Sequence, residues 1–182
     1  MSAPRLPGDP TPEQLAERVL RVDHAGEVGA VRIYEGQLAI LGSAPSGDTL
    51  RAMKAKEEAH RDELAGLLAA RGVRPTALAP LWDVAGFALG AATALLGPKA
   101  AMAATVAVEE VIEEHYRSQR EALVAAGTEP ELASLVERFG ADESAHKDEA
   151  LAHGAREAPG YELLTSAIKA GSRLAIWLST RI

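Results

Sequence analysis

Residues 57–63, Glu57-Glu58-Ala59-His60-Arg61-Asp62-Glu63, return as residues 143–149, Glu143-Ser144-Ala145-His146-Lys147-Asp148-Glu149. Each copy holds a Glu-x-x-His, a spacing that sets a carboxylate and an imidazole on one face of an α-helix. An earlier stretch repeats as well: Glu27, Tyr34 and Gln37 match Glu109, Tyr116 and Gln119, both with the spacing E-x6-Y-x2-Q. The two matches differ slightly in offset, which one longer loop or helix absorbs. The chain therefore reads as an internal duplication of a helix pair. Each pair supplies one lone Glu and one Glu-x-x-His.

Working outward, the periodicity predicts six helices and no strand. The first runs from Thr11-Pro12, a cap followed by a proline at the first helical position, to about Leu41. The second runs from Asp48 to Arg71 and closes at Gly72; the third runs from Leu81 to Leu96 and stops at Gly97-Pro98. The fourth covers Lys99 to Ala126. The fifth opens at Thr128, with Glu131 completing a capping box, and reaches about Arg156; the sixth covers Tyr161 to Thr180. Four of these helices carry an apolar stripe interrupted by charge. The stripes are Leu15-Val19-Glu27-Tyr34-Leu41, Leu50-Met53-Glu57-His60-Leu64, Met102-Val106-Glu109-Ile112-Tyr116 and Leu135-Phe139-Glu143-His146-Ala150. An unpaired carboxylate in a core costs several kcal/mol, so something must compensate four of them. A cation shared by the four helices does so. Solvated faces with ordinary salt bridges are the bland alternative, and the placement on core stripes speaks against it.

Four carboxylates and two imidazoles, from two lone Glu and two Glu-x-x-His, form the ligand set of ferritin-like di-iron and di-manganese bundles. The fold expected is all-α: a ferritin-like four-helix bundle with internal duplication and two additional apolar helices. The metal ligands expected are Glu27, Glu57, His60, Glu109, Glu143 and His146. The donor set suits iron or manganese, whereas zinc more often takes fewer ligands. No catalytic residue is assigned beyond them. Asp142 precedes Glu143 and is placed to orient a ligand imidazole, though the matching position in the other half is Lys56. Tyr34 and Tyr116 lie on ligand stripes and are expected to pack as core residues, with a hydrogen bond to a ligand as the alternative. His24 and His153 read as structural or exposed, and His115 lies off its ligand stripe.

The 182 residues suffice for one domain, read as residues 13–182 behind a flexible lead-in of residues 1–12. The absence of Cys removes thiolate zinc sites, iron–sulfur clusters and cysteine nucleophiles. The net charge of −7 disfavours nucleic acid as a partner. The lead-in lacks the pattern of a secretory or transit segment, which points to a cytoplasmic prokaryotic protein. From Val84 to Val108 the only charge is Lys99. Gly97-Pro98 splits that stretch, and its second part must deliver Glu109 to the core. An interfacial or self-associating surface is therefore expected ahead of a membrane span, and the sixth helix, with Trp177 and flanking Lys169, Arg173 and Arg181, fits the same picture.

Arg21-Val22-Asp23-His24-Ala25-Gly26-Glu27-Val28-Gly29-Ala30 resembles the opening signature of the demethoxyubiquinone hydroxylases, as do Val106-Ala107-Val108-Glu109-Glu110, His115-Tyr116 and the tail Ala170-Gly171-Ser172-Arg173-Leu174-Ala175-Ile176. The resemblance covers nearly everything from Leu15 onward, and the family's six ligands fall on intact positions here. It implies a di-iron monooxygenase, with two iron ions as cofactor, that hydroxylates the demethoxyubiquinol ring in ubiquinone biosynthesis. Its substrates would be demethoxyubiquinol and molecular oxygen, with NADH or a reductase as electron donor. It implies peripheral association with the cytoplasmic side of a bacterial cell membrane, and it leaves open a homo-oligomer or a lipid-binding partner protein. The alternative is a ferritin-like ferroxidase or iron-binding protein, or another di-iron oxidase.

Overall fold

The computed structural model describes residues 10–182. Most of the expected lead-in lies outside the described residues, and Pro12 already opens the first helix. The described residues form six α-helices: α1 (Pro12–Leu41), α2 (Gly47–Arg71), α3 (Ala79–Leu95), α4 (Pro98–Ala126), α5 (Pro130–Ala152) and α6 (Tyr161–Ser179). A short 3-10 turn, Ala155–Glu157, joins α5 to α6, and there is no strand among the described residues.

Local chemistry sets most of the ends. Thr11 and Gln14 form a reciprocal capping box at the start of α1. Gly72 and Gly127 close α2 and α4 with φ of 65° at both, a conformation that only glycine takes without strain. Two boundaries of α5 differ from expectation. The Thr128–Glu131 box does not form, because Pro130 takes an early helical position and Glu129 turns to a φ of 53°. The Glu129 carboxylate is held there by the two terminal guanidinium nitrogens of Arg71, at 3.0 and 2.9 Å. At its other end α5 stops at Ala152 rather than near Arg156, since Gly154 takes a φ of 82° and turns the chain.

The four striped helices make the core: α1 packs on α2, α4 packs on α5, and short turns make each pair antiparallel. The two apolar helices fold back on the helices that carry the lone glutamates, α3 along α1 and α6 along α4. The duplication thus extends to three helices in each half, and Gly97-Pro98 marks the seam. The α1–α3 contact is close enough to need glycine: a Cβ on Gly90 would lie 1.9 Å from the Ile33 carbonyl oxygen, and one on Gly36 would lie 2.2 Å from that of Phe87. At the far side the Trp82 indole donates to Ser179 Oγ at 2.8 Å, tying α3 to the end of α6.

Two apolar layers fill the bundle. One holds Leu20, Leu64, Leu123, Leu132 and Phe139; the other holds Leu41, Leu50, Met53, Met102 and Ala150. In every core helix the expected ligands lie in sequence between these layers, so the buried charge occupies the middle of the bundle. No helix among the described residues is long and apolar enough to cross a membrane. Yet α3 and α6 leave large apolar side chains in solvent, including Val84, Leu95, Leu163, Leu174 and Trp177.

Candidate metal centre

The structure brings all six expected ligands together at the bundle's centre, each at most 4% exposed. They fall into two overlapping groups whose donor atoms lie within 4.8 Å of one another: Glu27, Glu57, His60 and Glu143, and Glu57, Glu109, Glu143 and His146. Glu57 and Glu143 belong to both. Glu143 offers one oxygen to each half, with Oε1 3.5 Å from His60 Nδ1 and Oε2 3.4 Å from His146 Nδ1. Glu57 Oε1 lies 2.8 Å from His146 Nδ1, and Glu27 Oε2 lies 3.7 Å from His60 Nδ1.

These contacts are near, but they are not hydrogen bonds. Glu27 Oε2, Glu57 Oε1, Glu109 Oε2, both Glu143 oxygens and the Nδ1 atoms of His60 and His146 are buried without a hydrogen-bond partner among the described residues. Buried polar atoms are ordinarily paired, and orphaned ones need an explanation. These seven face one another and comprise only carboxylate oxygen and imidazole nitrogen, which fits a pair of hard or borderline divalent cations. Two such ions would neutralise four carboxylates.

Without that charge the acids suppress one another. Burial, then the Glu143 charge, pushes Glu57 and Glu109 well above the usual carboxylate range, and burial also raises Glu27. Burial would raise Glu143 too, but the His146 and His60 imidazoles hold it below its ordinary value. For His60, burial opposes protonation, yet the Glu143 and Glu27 carboxylates outweigh it and push the ring up to about 10. A raised acid leaves the fold unpenalised below the ordinary carboxylate pKa and costs stability as pH climbs above it. Glu57→Gln should therefore stabilise metal-free protein at pH 7, with a gain that fades toward pH 4. Thermal melts after chelation would read it at about 2–4 °C for each kcal/mol of burial cost removed.

The surrounding shell is built in pairs. Tyr34 donates to Glu109 Oε1 at 2.9 Å, and Tyr116 donates to Glu27 Oε1. Packing was the first expectation for the tyrosines and a hydrogen bond to a ligand the alternative, and the alternative is what forms. Each holds the lone glutamate of the opposite half, and burial drives both phenols well above their ordinary pKa. Gln37 donates to the Ala101 carbonyl at 3.1 Å and meets Thr105 Oγ1 at 3.4 Å. Its counterpart Gln119 donates to buried Asp23 at 2.7 Å, with His115 Nε2 at 2.8 Å. This Asp23–Gln119–His115 cluster was not foreseen as a unit, although Gln119 stood in the repeated E-x6-Y-x2-Q pattern. Phe139 stacks on the His60 ring at 3.9 Å. Asp142 stands behind His60, its Oδ2 3.2 Å from Nε2, while its Oδ1 accepts from Lys56 Nζ at 2.6 Å. Of the remaining histidines, His24 is half-buried and His153 is exposed beside Glu149 and Thr49.

The family described as Ubiquinone biosynthesis protein COQ7 matches residues 14–179. The chain is similar to a 3-demethoxyubiquinol 3-hydroxylase of Rhodospirillum rubrum, 55% identical over 180 residues that cover 98% of this chain and 84% of that protein. It is similar to the mitochondrial NADPH-dependent 3-demethoxyubiquinone 3-hydroxylase of Homo sapiens, 49% identical with 91% and 77% covered. It is also similar to the mitochondrial 5-demethoxyubiquinone hydroxylase of Saccharomyces cerevisiae, 39% identical with 91% and 78% covered. With an all-α bundle around a buried Glu/His cluster and a match across nearly its full length, the chain belongs to the Ubiquinone biosynthesis protein COQ7 family.

Proposed function

We propose that residues 13–182 act as a single di-iron monooxygenase unit that hydroxylates the ring of demethoxyubiquinol in ubiquinone biosynthesis. The observation that carries this reading is the six-residue cluster, shared between two overlapping donor groups, in a chain whose relatives are named for that hydroxylation. In this reading Glu27 and His60 would hold one iron ion, Glu109 and His146 would hold the other, and Glu57 and Glu143, which belong to both donor groups, would contribute to each. Bound iron supplies oxygen activation by a reducible pair of ions. Hydroxylation puts one atom of molecular oxygen on the ring and releases the other as water, which takes two electrons and two protons. A reduced nicotinamide is the proposed source, since the Homo sapiens relative is named NADPH-dependent.

The chain's own residues give that chemistry its geometry. Tyr34 and Tyr116 fix the lone carboxylates. With Nδ1 as the metal-facing nitrogen, His60 Nε2 keeps its proton and donates it to Asp142, which fixes the ring. The two apolar layers keep water from the centre on either side. An iron-storage shell is the poorer fit, because its outer helix surfaces would be polar, whereas α3 and α6 expose large apolar side chains. Quinone profiles of a strain lacking this gene test the reading. Demethoxyubiquinone should accumulate and should disappear when the wild-type gene, but not Glu57→Ala, is restored. Full activity in protein with no bound iron would sink it.

The apolar outer face fits peripheral association with a membrane, where an isoprenoid-tailed quinol resides. Val84 and Trp177, on helices joined by the Trp82–Ser179 hydrogen bond, are 66% and 51% exposed. The double variant Val84→Glu, Trp177→Glu should bind phosphatidylcholine vesicles roughly 100-fold more weakly, the loss expected from two large apolar side chains at about 1.5 kcal/mol each. Co-sedimentation reads this, and unchanged helicity shows that the bundle survives.

A further inference from the structure

We propose that Asp142 makes the two halves of the centre unequal, so that the half built on His60 binds its metal ion first and holds it more tightly than the half built on His146. The proposal rests on the metal-centre reading above and adds an order of filling to it.

Around this centre the duplication is kept closely. Both halves present one lone Glu, one Glu-x-x-His and a tyrosine hydroxyl donated to the opposite lone Glu. The residue immediately before the Glu of each Glu-x-x-His breaks the pattern: it is Asp142 in α5 and Lys56 in α2. Asp142 crosses to the other half and meets the outer nitrogen of His60 at 3.2 Å. The related position offers His146 an ammonium group instead, and a donor cannot accept an imidazole N–H. Lys56 turns to Asp142 at 2.6 Å, and His146 Nε2 is left buried with no hydrogen-bond partner among the described residues. One change between the repeats accounts for both observations.

The consequence follows from ligand chemistry. A carboxylate that accepts the outer N–H of a ligand imidazole fixes its tautomer and ring orientation and makes the inner nitrogen a stronger donor. His60 has that support and His146 lacks it. Lys56 also holds Asp142 in place, so the Lys56–Asp142 pair works as one positioning unit beside His60.

Cobalt(II), titrated into chelator-treated protein and followed by its visible absorption, tests this without turnover. His146→Ala leaves the His60 half, and His60→Ala leaves the His146 half. The ion should bind His146→Ala about 10–100-fold more tightly, the range that outer-shell partners contribute to metal affinity. Adding Asp142→Asn should remove that advantage in the His146→Ala background and leave the His60→Ala background unmoved. The exchange Lys56→Asp with Asp142→Lys keeps the ion pair and should make the His146 half the tighter one. Equal affinities in the two single-histidine variants, an equal loss in both on Asp142→Asn, or an order unmoved by the exchange would overturn the proposal alone. A wild-type bundle that takes up no cobalt would overturn the metal-centre reading and the proposal with it.

Discussion

Glu143→Ala should strip both metal ions from the protein and lower demethoxyubiquinol hydroxylation by more than about 100-fold, the upper end of what even outer-shell partners of a metal contribute. The size of the effect follows from where its two oxygens lie. One faces His60 and the other faces His146, at nearly equal distances, so removing the side chain opens both halves at once. Glu109→Ala removes a residue that belongs to one donor group only. It should reduce bound metal toward one ion per chain while leaving the other half formed. Elemental analysis of the two purified variants distinguishes these outcomes. Equal metal content in both would show that Glu143 is not shared.

Gly90→Ala should cost about 3 kcal/mol or more, at or beyond the upper end of ordinary overpacking. The added Cβ would meet the Ile33 carbonyl at 1.9 Å, and backbone cannot swing aside as a flexible side chain can. Helix α3 must then lift from α1, the helix that carries Glu27 and Tyr34. For a chain of 182 residues the melting temperature should fall by about 6–12 °C. Gly66→Ala is the matching control, because it lies within α2 with nothing near its added Cβ. That change should raise stability by about 0.5–1 kcal/mol through the lower chain entropy of alanine. A melt unchanged by Gly90→Ala would show that α3 is not clamped to α1.

The duplicated motif made the centre legible, since charge on an apolar stripe leaves few explanations. Glu27 and Glu109, which share their helices with no ligand histidine, were singled out by their matched Tyr and Gln rather than by any metal motif. What escaped the sequence was pairing across the bundle. Tyr34 lies seven residues from Glu27, yet its hydroxyl reaches Glu109, and Tyr116 reaches Glu27. Local spacing says which face a residue occupies but not which opposite face it meets. The packing of α3 was hidden for a related reason: Asp83 is its one charged residue, and a single charge near one end defines no polar side along the helix. The clearance around Gly36 and Gly90 and the Arg32–Asp83 ion pair at 3.0 Å show that α1 is its partner. The missed start of α5 came from competition between signals. Thr128 and Glu131 spell a cap, but Pro130 sets the helix start and the Arg71–Glu129 pair holds the turn before it.

The seam at Gly97-Pro98 joins two three-helix units that together enclose one centre. A true dimer with two-fold symmetry presents the same residue at both related positions, so any device on one side is copied on the other. Covalent joining lifts that constraint. Asp142 can stand opposite Lys56, and Asp23 opposite Thr105, because each occurs once per molecule rather than twice. The tether therefore does more than keep the halves together at equal dose. It lets the surroundings of His60 and His146 differ, which a symmetric assembly would be obliged to keep identical.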